Sequence, residues 1–338
     1  MKTLPTTAAK CADQALAMLG PMILGFALTI LAVASAAAQS YPTKPIRIIS
    51  PFSAGSTPDA LGRLVGQQLS ERLGQNVTVE NRPGAGTTIA TKAVATSDPD
   101  GYTLLQGGSA LAYSDLLYPN AGYDPSKSFV GVAPIAAWSH VLVVPASVPA
   151  NNLQELVAYA KAHPGQLNIG FPLGQAPQVL TELLKSSSGA PFNSVPYRQL
   201  PQLSADFLAG RIQGWFGAGA GLVSLVQQGK AKAIAFTGVT RSALLPSVPT
   251  VIESGLPQLA LNPSDWTGIL APAGTPSIVI DTLNAAINAS INSPELKSSI
   301  AQQGSEAKAT SPSDFAAFLV AETKKWPPLV KAAGMKPE

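Results

Sequence analysis

Along the chain, short apolar runs alternate with stretches of helical spacing. Residues 46–50 read as a buried strand closed by Pro51. In 59–73, Leu61, Leu64, Val65, Leu69 and Leu73 recur at helical spacing, and Gly74 is placed to end that helix as a C-cap. The pattern then predicts a strand at 77–80, a turn at 81–86, a helix at 89–95 and a strand at 102–106. This β-α-β-α-β order predicts a mainly parallel sheet with right-handed crossovers. A second unit begins with a strand at 141–145 and a helix at 152–162, with Asn151 or Asn152 as its cap. A short strand at 168–170, a helix at 175–187 and a strand at 194–196 follow. Segments 203–208, 212–216, 222–228 and 231–237 continue the alternation. A strand at 266–270 then precedes a helical tail at 277–292, 295–303 and 313–326, which Pro327-Pro328 is expected to stop. Two α/β units result, over 41–140 and 141–260, and the tail must pack on one of them.

The first forty residues follow another pattern. No charge occurs from Gln14 to Ser40, and 18–33 is dense in Leu, Ile, Met and Phe. The run closes on small residues, and Ala36 and Ala38 fit a signal-peptidase site with cleavage after Ala38. The alternative is a membrane anchor, because the run is long enough to span. Removing 1–38 takes away the single Cys, Cys11, and leaves 20 cations and 18 anions over 300 residues. An exported chain without Cys must be held by its core. The low charge gives no footprint for nucleic acid. Two His and no mature Cys leave little material for a metal site, and no cofactor fingerprint is complete.

Catalytic patterns are poor. Gly107-Gly108-Ser109-Ala110-Leu111 does not form a nucleophile elbow. Ser109 with His140 is the remaining hydrolase candidate, and both His140 and His163 also read as structural residues. Binding patterns are better. Pro51-Phe52-Ser53-Ala54-Gly55-Ser56-Thr57-Pro58-Asp59 joins a strand to a helix N-terminus, a natural place for a carboxylate. Simple helix capping by Ser56, Thr57 or Asp59 explains the same residues. Similar loops occur at Gly107-Gly108-Ser109, at 170–175 and at Gly217-Ala218-Gly219. Phe171, Trp215 and Phe216 fit either a ligand wall or the core.

Several motifs in order carry a resemblance. They are Tyr41-Pro42-Thr43-Lys44-Pro45-Ile46-Arg47, Pro51-Phe52 with Ala54-Gly55 and Asp59, Asn81-Arg82-Pro83-Gly84-Ala85-Gly86, and Asp98-Pro99-Asp100-Gly101-Tyr102-Thr103. Val195-Pro196-Tyr197, Arg241-Ser242, Leu245-Pro246-Ser247-Val248-Pro249-Thr250 and Ala271-Pro272-Ala273-Gly274-Thr275-Pro276 follow. The mature chain resembles the Bug-type solute-binding receptors of tripartite tricarboxylate transporters. The resemblance implies an α/β, two-domain periplasmic binding protein of type II, a Venus flytrap. Domain 1 would comprise 39–140 plus 265–338, and domain 2 residues 141–264, with hinges near 140–143 and 262–266. It implies a monomer without enzymatic activity, cofactor or metal. A small carboxylate, including a dicarboxylate or aromatic acid, would be captured in the interdomain cleft. The partners would be membrane permease subunits or, alternatively, a membrane sensor.

The implied ligand-binding residues are Phe52, Ser53, Ala54, Gly55, Ser56, Thr57, Asp59 and Ser109 in the first unit. In the second they are Gly170, Phe171, Pro172, Gln175, Tyr197, Arg198, Gly217 and Ala218. The departures from the family pattern are informative. Ser56 stands where a second Gly is usual. The segment Gly170-Phe171-Pro172-Leu173-Gly174-Gln175 replaces a Ser- and Gly-rich loop followed by His. Arg198-Gln199 replaces Lys-Gly. Fewer hydroxyls and the added Phe171 point to a less polar ligand end. Arg198 fits either a second carboxylate or solvent.

Overall fold

The structure, a computed structural model, describes residues 41–337. The leader, Cys11 and the Ala38 site lie outside the described residues. Met1–Thr43 and Lys44–Glu338 form two units. In chain order the second unit opens with β1 (Ile46–Ser50), α1 (Thr57–Leu73), β2 (Val77–Asn81), α2 (Thr88–Ala95), β3 (Thr103–Gly108), α3 (Ser114–Leu117) and β4 (Phe129–Trp138). Next come β5 (Val141–Pro145), α4 (Leu153–Ala162), β6 (Asn168–Pro172), α5 (Ala176–Ser188), β7 (Asn193–Tyr197), α6 (Leu200–Leu208), β8 (Gly214–Gly217), α7 (Ala220–Gln227) and β9 (Ala231–Phe236). Then β10 (Asp265–Pro272), α8 (Ser277–Ile291), α9 (Pro294–Gln302), β11 (Ser305–Ala307) and α10 (Pro312–Ala332) complete it.

The strands form two sheets, β11-β4-β10-β3-β1-β2 and β7-β6-β8-β5-β9. Omitting β11, the two orders correspond strand for strand. In the first, β1 to β4 share a direction while β10 and β11 run against them. In the second, only β5 is reversed. The expected mainly parallel character therefore holds for strand directions, with a correction. The reversed strands β5 and β10 are each the first strand the chain adds after changing sheets. Each enters its new sheet antiparallel to both neighbours.

Strand β4 is absent from the sequence-based expectation, and it carries Gly131 and Pro134, two residues that weaken a strand pattern. Its pairing to β10 slips at Thr267/Gly268 and at Ile269/Leu270. These irregularities accommodate Gly131 and Pro134 within a sheet. The tail also differs from expectation, because α10 runs through Pro327 and Pro328. The buried Glu322 explains how it is held. Its Oε2 accepts from the indole N–H of Trp266 at 2.9 Å and of Trp326 at 2.7 Å, and its Oε1 from Lys325 at 2.9 Å. Beyond the prolines, Val330 and Ala333 join the apolar core. That burial opposes the loss of helical hydrogen bonds at the prolines.

Period-two alternation separates the cores of the second sheet. Leu142 and Val144 face one cluster and Val141 and Val143 another. The first of these clusters also takes in Ala110, Tyr113 and Leu117 from the β3–β4 connection, and Trp326 and Val330 from α10. Helix α10 thus packs Phe315 beside Trp266 at one end and Trp326 into the second sheet's core at the other.

The chain changes sheets twice, and the two crossings are laced together. His140 N–H donates to Thr237 Oγ1 at 2.8 Å and to Ser264 Oγ at 3.0 Å. Thr237 N–H donates to His140 O at 2.9 Å, and Ser264 N–H to Trp138 O at 3.1 Å.

Candidate functional site

Three strand-to-helix junctions meet where the two sheets face each other. The β1–α1 junction is braced from within. Asp59, buried in the first turn of α1, accepts from Gly55 N–H at 2.9 Å, Asn81 Nδ2 at 2.7 Å and Arg63 Nε at 3.1 Å. Asn81 also donates to Phe52 O at 3.0 Å and accepts from Arg63 at 2.6 Å. Gly55 needs its positive φ of 77° to turn this N–H inward. Ser56 caps α1 by accepting from Asp59 N–H at 3.4 Å.

The opposing junctions precede α6 and α7. Their N-cap residues, Gln199 and Gly219, make no side-chain cap hydrogen bond. The first N–H groups of any helix lack partners within it. Here Leu200 N–H meets Ser53 Oγ at 3.4 Å and Ala220 N–H meets Gln303 Oε1 at 3.5 Å. The approach is close: a β-carbon at Gly219 would lie 2.4 Å from Thr57 Oγ1. Farther along, a β-carbon at Gly174 would lie 2.2 Å from Gly86 Cα, and Tyr113 Oη donates to Gly174 O at 3.4 Å.

A cavity of about 350 Å³ opens between these junctions. Ala54, Gly55 and Thr57 line it from the first junction, Ala218 to Gly221 from the α7 junction, and Gln303 from the end of α9. Leu200, Pro201, Ser204 and Leu208 of α6, Trp215 of β8, and Leu222 and Leu225 of α7 supply the rest. No Lys, Arg, His, Asp or Glu lines it among the described residues.

The sixteen expected site residues divide. Ala54, Gly55, Thr57 and Ala218 line the cavity, and Ser53 reaches Leu200 across it. The others lie outside the lining, where all but Arg198 take part in caps, strands, packing or hydrogen bonds. Phe52 packs against Gly108, where a β-carbon would come within 2.9 Å of the ring. Ser56 caps α1 and Asp59 braces its loop. Gly170 has no room for a side chain beside Ile212, Tyr197 and Leu203. Phe171 and Pro172 complete β6, with Phe171 buried. Gln175 is the N-cap of α5. Gly217 packs against the Trp215 ring. Tyr197 turns its hydroxyl to Asp206 at 2.9 Å, and burial, aided by that carboxylate, pushes the phenol up to about 12. Arg198 is exposed.

Ser109 also lies outside the lining. Its hydroxyl donates to Asp265 Oδ1 at 2.6 Å, and that same oxygen accepts from Trp266 N–H at 2.9 Å. Burial pushes the Asp265 carboxyl up to about 6, against the pull of these donors. Asp265 Oδ2 lies 4.0 Å from His140 Nε2. Burial drops the His140 imidazole to about 3, and its Nδ1 faces Ser264 Oγ at 2.8 Å. The hydroxyl and imidazole that a hydrolase would pair are thus directed to different partners.

Sequence reasoning missed Leu200, Pro201, Ser204, Leu208, Leu225 and Gln303. It began α6 at Leu203. Pro201 was the available signal, since Pro favours the first turn of a helix. In sequence, Asn81 stands only as a turn residue and the first residue of a family motif.

The architecture and this junction of helix ends now meet the comparisons with known proteins. Residues 61–335 match the model of the tripartite tricarboxylate transporter family receptor. The chain belongs to that family. The receptor is 32% identical to Protein BugT of Bordetella pertussis, over 92% of this chain and 96% of that one. Among solved structures, it superposes on R. palustris Rpa4515 with adipate at a TM-score of 0.84, with 31% identity, covering 88% of this chain and all of that one. MatC from Rhodopseudomonas palustris, solved with bound malate, gives a TM-score of 0.79 and 27% identity over 86% of this chain and all of that one. The receptor therefore has the two-domain periplasmic binding protein fold. No helix among its described residues is long and apolar enough to cross a membrane.

Proposed function

We propose that this receptor captures a small carboxylate in the cavity between the β1–α1 junction and the N-termini of α6 and α7. It would release the ligand to the permease of a tripartite transporter. The observation that carries this reading is the convergence of two helix N-termini without side-chain caps on a cavity bearing no formal charge. Backbone N–H groups and helix dipoles favour an anion there. The adipate and malate bound by related receptors support the ligand class. In this reading the chain is exported and cleaved after Ala38. Residues 39–140 with 265–338 form one domain and 141–264 the other, and the laced crossings at His140 and Ser264 act as the hinge.

Thermal shift of the mature protein against mono- and dicarboxylates tests the reading. Stabilisation by at least one is expected, and none across the series would remove it. Ser56→Asp sharpens the test, because Asp caps a helix as well as Ser does. The fold should persist while the added charge beside Gly55 and Thr57 weakens carboxylate binding at least tenfold. Unchanged affinity would exclude this loop from the site.

A further inference from the structure

The C-terminal tail contributes one side chain to the cavity, and that side chain touches a helix of the opposite half. Resting on the carboxylate reading of this site, we propose that Gln303 is a ligand-binding residue whose amide N–H donates to the captured carboxylate. Three observations lead there.

The first is how Gln303 is held. It closes α9 as its C-cap, with its backbone N–H donating to Ile300 O at 3.0 Å. Leu296 and Ile300 of that helix are buried. Gly304 then takes a positive φ of 68°, and Ser305 pairs with Trp138 as β11 joins the first sheet. The residue is thus anchored in the half built on the first sheet and reaches toward the other.

The second is which end of the amide is spent. Ala220 N–H can only donate, so Gln303 must turn its oxygen to it, and Oε1 lies 3.5 Å from that nitrogen. The Nε2 group, a donor only, meets no acceptor among the described residues.

The third is the space beside it. Gln303, Thr57 and Gly219 share the cavity lining, and a β-carbon at Gly219 would lie 2.4 Å from Thr57 Oγ1 and 3.6 Å from Gln303 Oε1. Gly221, the second residue of α7, also lines the cavity and has nothing within 4 Å of an added β-carbon. A carboxylate in that space takes a first-turn N–H of α7 from one half and Nε2 of Gln303 from the other. The anion then bridges the two halves.

Calorimetry on the mature protein tests this, with acetate to octanoate, oxalate to suberate, and benzoate as probes. The parent should bind at least one of them. Gln303→Met keeps an unbranched side chain of similar length but removes both donor and acceptor. It should weaken that probe by about tenfold or more, the usual effect of losing one hydrogen bond to a charged group. Gln303→Lys restores a donor without an acceptor for Ala220, and it should regain most of the lost affinity. Gln303→Glu keeps the acceptor but lacks the amide donor, and it should bind no better than Gln303→Met. A side chain that only latches α7 gives the reverse order, with Glu retaining affinity and Lys losing it. Gln303 is partly exposed, so all three variants should fold, and urea midpoints close to the parent's check that. Unchanged affinity in Gln303→Met, or a Lys variant no better than Met, would overturn the inference and leave the carboxylate receptor standing. Failure of every probe to bind the parent would overturn both readings together.

Discussion

The two walls of the cavity begin their helices on opposite plans. At α1, Gly55 N–H is committed to Asp59, Asp59 N–H to Ser56, and the Ser109 hydroxyl of the neighbouring loop to Asp265. At α6 and α7 the N-cap residue offers no side-chain cap, and the first N–H of each helix, Leu200 and Ala220, reaches a side chain across the cavity. A capped helix end is locally complete. An uncapped end facing a cavity leaves donors for whatever enters. In the proposed reading, the first wall is the more rigid and the second offers the ligand more backbone donors.

The largest expected effect concerns how firmly the first wall is tied to the crossings. Folding prefers Asp265 neutral, so its contribution is lost as pH rises from about 4 toward about 6. Folding also prefers His140 neutral, so its contribution is lost as pH falls from about 6.5 toward about 3. Between pH 4 and 6 these slopes oppose each other. Asp265→Asn keeps an acceptor for Ser109 and Trp266 but cannot ionise. Its stability should then rise with pH across this window at up to about 1.4 kcal/mol per unit, while the parent stays nearly flat. Chemical denaturation at several pH values reads this, and equal profiles would detach the pair from stability.

Asp59→Ala should come next. It leaves Gly55 N–H and Asn81 Nδ2 without their acceptor and should lower the unfolding free energy by about 2 kcal/mol, a value restrained because Arg63 is half exposed. Urea denaturation measures it. A pair of glycines then separates the walls directly. Gly219→Ala would press against Thr57 and should weaken ligand binding more than tenfold. Gly55 has nothing within 4 Å of an added β-carbon but holds a φ of 77°, so Gly55→Ala should cost about 1–2 kcal/mol of stability through backbone strain with a smaller loss of affinity. Similar affinity losses at both would erase the distinction between the walls. Smallest is Gln199→Asp, which gives α6 the cap it lacks. Stability should rise by about 0.5–1 kcal/mol while carboxylate affinity falls a few-fold. A gain in both would contradict the proposed role of the uncapped ends.

How far the molecule could be read from its residues varied with the range of the physics involved. Helix α1 and its Gly74 cap were legible because spacing and a left-handed glycine are local signals. Strand β4 was hidden, since Gly131 and Pro134 are accommodated by slips in its pairing with β10, more than a hundred residues away. The continuation of α10 past Pro327 depends on two tryptophans meeting Glu322, one of them on β10. Of the residues lining the cavity, Ala54, Gly55, Thr57 and Ala218 could be named from their strand-to-helix loops. The partners of Tyr197 and Ser109 could not be. These are polar residues in binding-loop positions, and only the fold shows their hydroxyls turned to Asp206 and Asp265.

The long final helix has a practical corollary. Its first half lies on the strands of one sheet, while Trp326, Val330 and Ala333 sit in the apolar core of the other. The extreme C-terminus is therefore a mechanical strap between the halves, and a purification handle or fluorescent fusion attached there would pull on the element that joins them. A label meant to test for the proposed opening and closing belongs on an exposed position such as Ile278, which leaves that helix unloaded.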